Sequence, residues 1–530
     1  MESHTKWPLL LTIILSALLS LSAARDTIAP GELFGDADSL ISADGSFKLG
    51  FFTPGRSKSR YLGIWYATIP VQTVIWVANR DRPLPDSTGV LCISGNGNLV
   101  LSDANGTVYW STGAATGLAS PVARLLNTSN FVVMGASGEE EYAWQSFDHL
   151  TDSLIPGMKF GWDLRSGRNR NFTSWRSEDD PAPGEYSMAM DLRGDPQPFL
   201  MRGTTPVWRM GPWTGRRFTG NPEMTSVEHL FKFNFIRSTD EVFFWFDVLD
   251  RSIMSMVRAH PSGVFERVLW NETAQMWDRY WFAPRDQCDI FNTCGPFSIC
   301  DSSYSPICRC LPGFVPRSPG NRNMGCMRRR PLKCRKGSDG FVKVALVKLP
   351  DTSASIVNYA MGLDCRTACL RNCSCTAYAH AEVAGGSRGC ILWGGNLTDV
   401  RVNPIGGGDE LFVRLAKADR SRQEVGGGDY DGGGAVLGLL VHVWIGWCLR
   451  KRRKTKENKL GSLSLHQQLQ HIQPRKPGAP LLDLNTIAAA TEMTSPQRTS
   501  LEGRVWSCLQ GTNLCLDGDG ERGARALLPS

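Results

Sequence analysis

The chain has 530 residues, enough for three or four domains that each bury a core, which excludes a single compact unit. Its formal charge of +7 is no nucleic-acid signature, because part of the excess sits in the basic run from Arg450 to Lys456 beside an apolar segment. No stacking or groove-reading motif accompanies that charge, so nucleic acid is not assigned as a partner.

The N-terminus carries Lys6, an apolar run from Pro8 to Leu21, and small residues Ser22, Ala23 and Ala24 before Arg25. This pattern predicts a secretory signal over residues 1–24, cut after Ala24. Asn-x-Ser/Thr sequons at Asn105, Asn127, Asn171, Asn271, Asn372 and Asn396 all precede the later apolar segment, as lumenal exposure of that part requires.

From Arg25 to about residue 283 the sequence predicts short strands. Ser46 to Phe52, Tyr61 to Tyr66, Thr73 to Asn79, Asn98 to Asp103 and Thr107 to Ser111 are β-branched or aromatic runs bounded by turn residues. A second such stretch holds Leu230 to Ile236 and Glu241 to Val248, where Phe-Lys-Phe-Asn-Phe alternates as in a half-buried strand. Two β domains are expected, over residues 25–150 and 151–283.

Twelve of the 16 cysteines then fall between Cys288 and Cys390, in two groups of six. Even sets at tight spacing form disulfides where the compartment is oxidising. A zinc cluster is the competing reading, and the secretory signal and the lack of interleaved His argue against it.

Several motifs in one order carry a resemblance: Trp76-Val-Ala-Asn-Arg-Asp, Gly97-Asn-Leu-Val-Leu, Trp144-Gln-Ser-Phe-Asp-His, Pro156-Gly-Met-Lys, Ser174-Trp-Arg-Ser and Gly211-Pro-Trp-Thr-Gly. Over residues 26–415 the chain resembles the plant S-domain receptor family, the G-type lectin receptor-like serine/threonine kinases. The resemblance implies a mainly β, multidomain protein: a bulb-type lectin β-prism domain, an S-locus glycoprotein β domain, a disulfide-rich EGF-like module at residues 284–326 and an α+β PAN/apple module at residues 334–415. It implies pairs Cys288 with Cys300, Cys294 with Cys308, and Cys310 with Cys326 in the first cysteine group. In the second it implies Cys365 with Cys390, Cys369 with Cys375, and Cys334 with Cys373, with one helix carrying Cys365 and Cys369. The stretch from Phe314 to Cys326 departs from the family pattern, being shorter and lacking the tryptophan usual there.

A Gly- and Asp-rich hinge is expected at 416–433, followed by a transmembrane helix at 434–449. Roughly 18 residues give about 27 Å of helix against a hydrocarbon core of about 30 Å. Trp444 and Trp447 suit the interface, and the basic run after Leu449 suits the cytoplasmic side. Residues 450–530 read as a cytoplasmic tail. In it Leu482 to Thr491 resembles the segment that precedes the kinase in the family, and Glu492 to Ser530 reads as disordered. The Gly-rich loop, strand lysine, His-Arg-Asp and Asp-Phe-Gly motifs of a kinase do not occur after Lys454. No catalytic residue, cofactor or metal is assigned, and the chain is read as a form of the family without its kinase.

Bulb-type lectins hold mannose through Gln, Asp, Asn, Val and Tyr at alternate strand positions. Polar side chains meet the ring hydroxyls there and Val packs on the ring. The matching stretch here is Ser94, Asn96, Asn98, Val100 and Ser102, which keeps only Asn98 and Val100. Leu126, Thr128, Asn130, Val132 and Met134 form a poorer second copy. Asp179, Asp180 and Glu185 read as a solvated acidic loop, Cys92 as a buried free thiol, and Cys448 as an unmodified thiol, palmitoylation being the alternative.

The expectation is a single-pass, type I plasma-membrane glycoprotein that recognises an extracellular peptide, protein or glycan, with family roles in pollen recognition and defence. It pairs with itself or with full-length S-domain receptor kinases, as a co-receptor or decoy. The alternatives are an incomplete product of an active receptor kinase and a secreted lectin-like binder.

Overall fold

The computed structural model describes residues 25–419, apart from gaps at 114–117, 119, 136–141, 251, 319, 336, 359–363, 384–386 and 404–406, and three strands between residues 497 and 517. The signal segment 1–24 and the span expected at 434–449 lie outside the described residues. Among the described residues no helix is long and apolar enough to cross a membrane.

Three antiparallel sheets form the first module. One is Ser39–Ile41, Phe47–Phe52, Tyr61–Tyr66 and Val74–Val77; a second is Val90–Ile93, Leu99–Ser102 and Val108–Ser111. The third joins Thr27–Ile28 to Pro121–Leu125, Phe131–Gly135 and Trp144–Gln145. Each sheet sends one tryptophan to a shared centre: Trp76, Trp110 and Trp144 meet edge to face, with ring centroids 5.6–6.0 Å apart. Edge-to-face contact sets the positive rim of one ring against the negative face of the next, so three indoles can close one core without a void. Strand alternation supplies the rest, as at Leu99 and Leu101, buried, against Val100 and Ser102, half-exposed.

The second module repeats the three-sheet plan, which the sequence reading does not anticipate. Its sheets are Phe172–Ser177 with Asp180–Asp191, Gln197–Arg202 and Thr205–Arg209; Arg168–Arg170 with Phe160–Asp163, Glu241–Val248 and Phe231–Arg237; and Ser153–Leu154 with Ser255–Ala259, Phe265–Asn271 and Met276–Ala283. One apolar core runs unbroken from Ile28 to Ala283, so the two modules share their interior.

The cysteine-rich region is built differently. An eight-stranded sheet has the order Cys308–Cys310, Ser298–Cys300, Val400–Val402, Asp339–Lys348, Asp409–Ala416, Cys375–Val383, Ser387–Gly394, Ser355–Asn358. The two cysteine groups, expected as separate modules, thus join in one sheet. Ser298–Cys300 pairs in parallel with Val400–Val402, and Phe297, Ile299 and Phe314 share a core with Val347, Trp393 and Leu411. The helix Cys365–Arg371 starts at Asp364, whose carboxylate accepts the Arg366 and Thr367 N–H groups, and it turns Cys365 and Cys369 inward on one face.

Within the tail expected to be disordered, Gln497–Leu501, Arg504–Cys508 and Cys515–Asp517 form a small antiparallel sheet.

Candidate recognition site

Leu99–Ser102 is the central strand of its sheet, with Val100 opposite Cys92 on one side and Ser111 on the other. Val100 keeps a half-exposed surface. The amide oxygen of Asn98 accepts the Thr112 hydroxyl at 2.7 Å, and its backbone oxygen accepts the Ser94 hydroxyl at 2.8 Å. These bonds hold the turn rather than face solvent. The second copy is closed: Asn130, Val132 and Met134 are 5%, 0% and 8% exposed, so no sugar ring reaches them. Asn130 instead donates to Gln145 and accepts from Ser146 and from the Phe147 N–H.

The motifs that carry the family resemblance are joints. In Trp76 to Asp81, Trp76 fills the core and donates its indole N–H to the carbonyl of His149 at 2.9 Å. Asn79 accepts the Leu62 N–H at 2.9 Å. Arg80 reaches into the second module, where its guanidinium donates to the carbonyls of Pro181, Thr173 and Ser174 at 2.8, 3.1 and 2.9 Å. Burial holds the Arg80 guanidinium below its ordinary pKa, opposed by the nearby carboxylates of Asp152, Asp81 and Asp180. In Trp144 to His149, Asp148 binds Arg168 and Arg170, and the His149 ring stacks on Trp144. Gly211, at φ +81°, lies where an added Cβ would come within 2.2 Å of the Thr219 hydroxyl.

Charges that no motif announced fasten the second module to the cysteine-rich region. Arg209, fully buried on Thr205–Arg209, donates to Asp399 at 2.8 Å and to the Leu349 carbonyl at 2.6 Å. Lys348 Nζ lies 2.8 Å from the same carboxylate, and the Asn292 N–H adds a bond at 3.0 Å. Burial would raise the Asp399 pKa, but the cations of Lys348 and Arg209 and these hydrogen bonds outweigh it and hold the group below the usual carboxylate range. Arg217 makes a second such link by binding Asp409, while Arg401 binds Asp286 and Asp289 within the cysteine-rich region. Their partners lie some 110 to 190 residues away, beyond any local pattern.

Cystine bonds join Cys288 to Cys300, Cys294 to Cys308, Cys310 to Cys326, Cys334 to Cys373, Cys365 to Cys390 and Cys369 to Cys375. Cys294, Cys300 and Cys308 crowd their sulfurs within 4.8 Å, yet each sulfur is committed to a covalent bond and is no thiolate ligand. Cys92 is free and half-buried. Of the sequon asparagines, Asn105, Asn127, Asn171, Asn372 and Asn396 are exposed, whereas Asn271 is half-buried and donates its amide to Asp278. The acidic residues Asp179, Asp180 and Glu185 are each paired with an arginine, and the last two stand in the strand Asp180–Asp191 instead of a loop.

Comparison with known proteins matches a D-mannose binding lectin family to residues 73–176, an S-locus glycoprotein domain to residues 208–318 and a PAN-like domain to residues 334–400. The chain is 42% identical over 391 residues to S-locus-specific glycoprotein S6 of Brassica oleracea, covering 72% of this chain and 88% of that one. It is 40% identical over 431 residues to S-locus-specific glycoprotein BS29-2 of Brassica oleracea var. alboglabra, covering 79% and 98%. Against receptor-like serine/threonine-protein kinase SD1-8 of Arabidopsis thaliana it is 41% identical over 455 residues, 83% of this chain and 53% of the relative. It spans about half the length of the receptor kinases it matches. With the lectin, S-locus glycoprotein and PAN-like segments in one order and these identities over most of two S-locus glycoproteins, the chain belongs to the plant S-domain family of S-locus glycoproteins and G-type lectin receptor-like kinases.

Proposed function

We propose that this chain is an extracellular recognition protein held at the plasma membrane by a single span at residues 434–449, and that it acts by association. Its ligand is a peptide, protein or glycan outside the cell. Through the PAN module it pairs with itself or with full-length S-domain receptor kinases. The observation that carries the reading is the buried Arg209–Asp399–Lys348 cluster, which ties the S-locus module to the PAN sheet; a ligand held on one bears on the other. Recognition is not assigned to the strand of Asn98 and Val100, since the amide oxygen and the backbone oxygen of Asn98 are engaged within the turn. Glycans on the exposed sequons and passage through the secretory route belong to the same proposal.

Co-expression with a full-length relative tests it. Ligand-stimulated phosphorylation should fall as this chain approaches the concentration of its partner, by mass action. Co-precipitation should persist in the intact chain and vanish on deletion of residues 334–415. Association that survives the deletion, or none at any expression ratio, rejects the PAN-mediated role. Fractionation decides anchorage, because a chain found wholly in the soluble fraction is a secreted binder instead.

A further inference from the structure

A cleft of about 480 Å³ opens where the first module meets the second, and none of its lining residues lies on the Leu99–Ser102 strand. Its volume falls within the range of roughly 300–1,000 Å³ usual for small-molecule sites. One wall is the loop after Phe52 and the other is the turn into the strand Asp180–Asp191. The walls approach each other at Gly55. At φ +47°, an added Cβ there would stand 1.7 Å from a carboxylate oxygen of Asp179.

Arg56, Arg80 and Arg176 face Asp81, Asp179 and Asp180 in this cleft, so its formal charge is zero. Most of that charge is already satisfied: Arg56 pairs with Asp179, Arg176 pairs with Asp180 at 2.8 Å, and Arg80 is spent on backbone carbonyls. The Asp81 carboxylate, exposed at the rim, accepts no hydrogen bond among the described residues. A charged ligand would find no excess of opposite charge here. An apolar one would strip water from six ionised groups with little but Pro83, Ala182 and the Tyr61 ring to rest on. What suits the walls is a ligand that both donates and accepts without net charge, as vicinal hydroxyls do against carboxylates, guanidinium N–H groups and the Ser177 hydroxyl.

We propose that this cleft between the two β modules binds a neutral oligosaccharide, at a site separate from the lectin strand. The proposal rests on the recognition reading above and specifies one ligand class and place for it.

The test uses the full chain made through the secretory route, with cellotetraose, mannotetraose and galactotetraose as neutral probes and trigalacturonate and a chitosan tetramer as charged ones. Titration calorimetry should show at least one neutral tetraose binding. Its Kd should rise by about tenfold or more in both Asp81→Asn and Ser177→Trp, the loss expected for one charged hydrogen bond or a filled cleft. Both positions are exposed, so unchanged melting curves establish that the variants fold. Asn98→Ala should bind as the unaltered chain does. The proposal is overturned if no neutral probe binds, if charged probes bind as well, or if the cleft variants retain full affinity. Co-precipitation with a full-length relative is scored separately, so loss of the cleft proposal and loss of the association reading give different results.

Discussion

Residues 25–283 and residues 284–419 solve the same problem with different chemistry. The first stretch has no cystine bond among its described residues and leaves Cys92 free, because two three-sheet modules pool one large apolar core. The second has six cystine bonds, and one of its clusters is built of Cys288, Cys294, Cys300 and Cys308 with a single partly buried isoleucine. Strands of three residues and a helix of seven bury too little apolar surface to offset their ordering entropy, so covalent links replace it. Stability in such a chain is therefore regional, and the redox state of the compartment decides only one half of it.

The largest effect should come from reductant. Loss of a native disulfide from a small domain costs about 2–5 kcal/mol, and reduction removes several at once. Under non-denaturing conditions dithiothreitol should expose residues 284–419 to protease while residues 25–283 stay protected, as peptide mapping of the digest would show. Simultaneous loss of both halves would break the contrast. Its counterpart is Trp144→Ala, which empties the meeting point of the three sheets and should cost about 3–5 kcal/mol in the oxidised protein.

A next test concerns the joint between the halves. Asp399→Ala leaves Arg209 and Lys348 buried without their anion, 0% and 1% exposed at the side chain. Breaking a buried charge cluster from one side costs about 3–5 kcal/mol, whereas exchanging all of its members for apolar residues of similar size is often neutral. Denaturant unfolding should thus rank Asp399→Ala below the combined Asp399→Leu, Lys348→Met, Arg209→Met variant. If the triple variant is the less stable, the cluster contributes net attraction beyond what apolar packing of the same joint supplies.

How much of this was legible in the sequence follows from the range of the interactions. Tyr61–Tyr66 and Glu241–Val248 carry their strand signal within their own residues, and both stand where their β-branched and aromatic runs and the flanking turn residues place them. The family motifs were legible as words but not as parts: Trp76, Arg80 and Trp144 meet partners on other sheets and other modules, which no window of one strand contains. Arg209 and Asp399 are 190 residues apart and each looks like an ordinary surface charge. The joining of the two cysteine groups in one sheet was hidden for the same reason, since parallel pairing of Ser298–Cys300 with Val400–Val402 leaves no local pattern. In the lectin strand, the missing carboxylate and Tyr hydroxyl were visible at once, while the burial of Asn130 and Val132 needed the packed module.

Acid should separate the halves more gently. Burial, with Arg168 and Arg170 close by, lowers the pKa of His149 despite Asp148, so the ring stays neutral in the folded protein where the unfolded chain would protonate. Its contribution is complete above about pH 6.5 and is lost as pH falls through the depressed folded value. Asp339 is also depressed: burial opposes, but the Lys333 and Cys334 N–H groups and Arg414 outweigh it, as Lys348 and Arg209 do for Asp399. Those contributions are intact above about pH 4 and lost only below it. Melting followed by module-specific hydrogen exchange should therefore show the first half softening as pH falls below about 6.5, and the cystine half holding until about pH 4. His149→Gln should remove the earlier step and leave the later one.

The smallest effect should come from the surface of the cystine half itself, where an exposed and a buried pair span the same two strands. Lys343 and Glu410 lie 3.0 Å apart with side chains 55% and 51% exposed, while Arg414 and Asp339 lie at the same distance with both 1% exposed. Water screens the first pair and its long side chains lose rotamer freedom in forming it, so Glu410→Gln should cost under about 1 kcal/mol, and less as salt is raised. Asp339→Asn removes the anion from a guanidinium that also donates to the carbonyls of Cys369 and Asn372, strapping the helix that carries the Cys365 and Cys369 bonds. It should cost several times more and depend little on salt. Equal losses for the two substitutions in oxidised protein would mean that the cystine bonds alone hold this sheet and that its buried ion pair adds nothing to them.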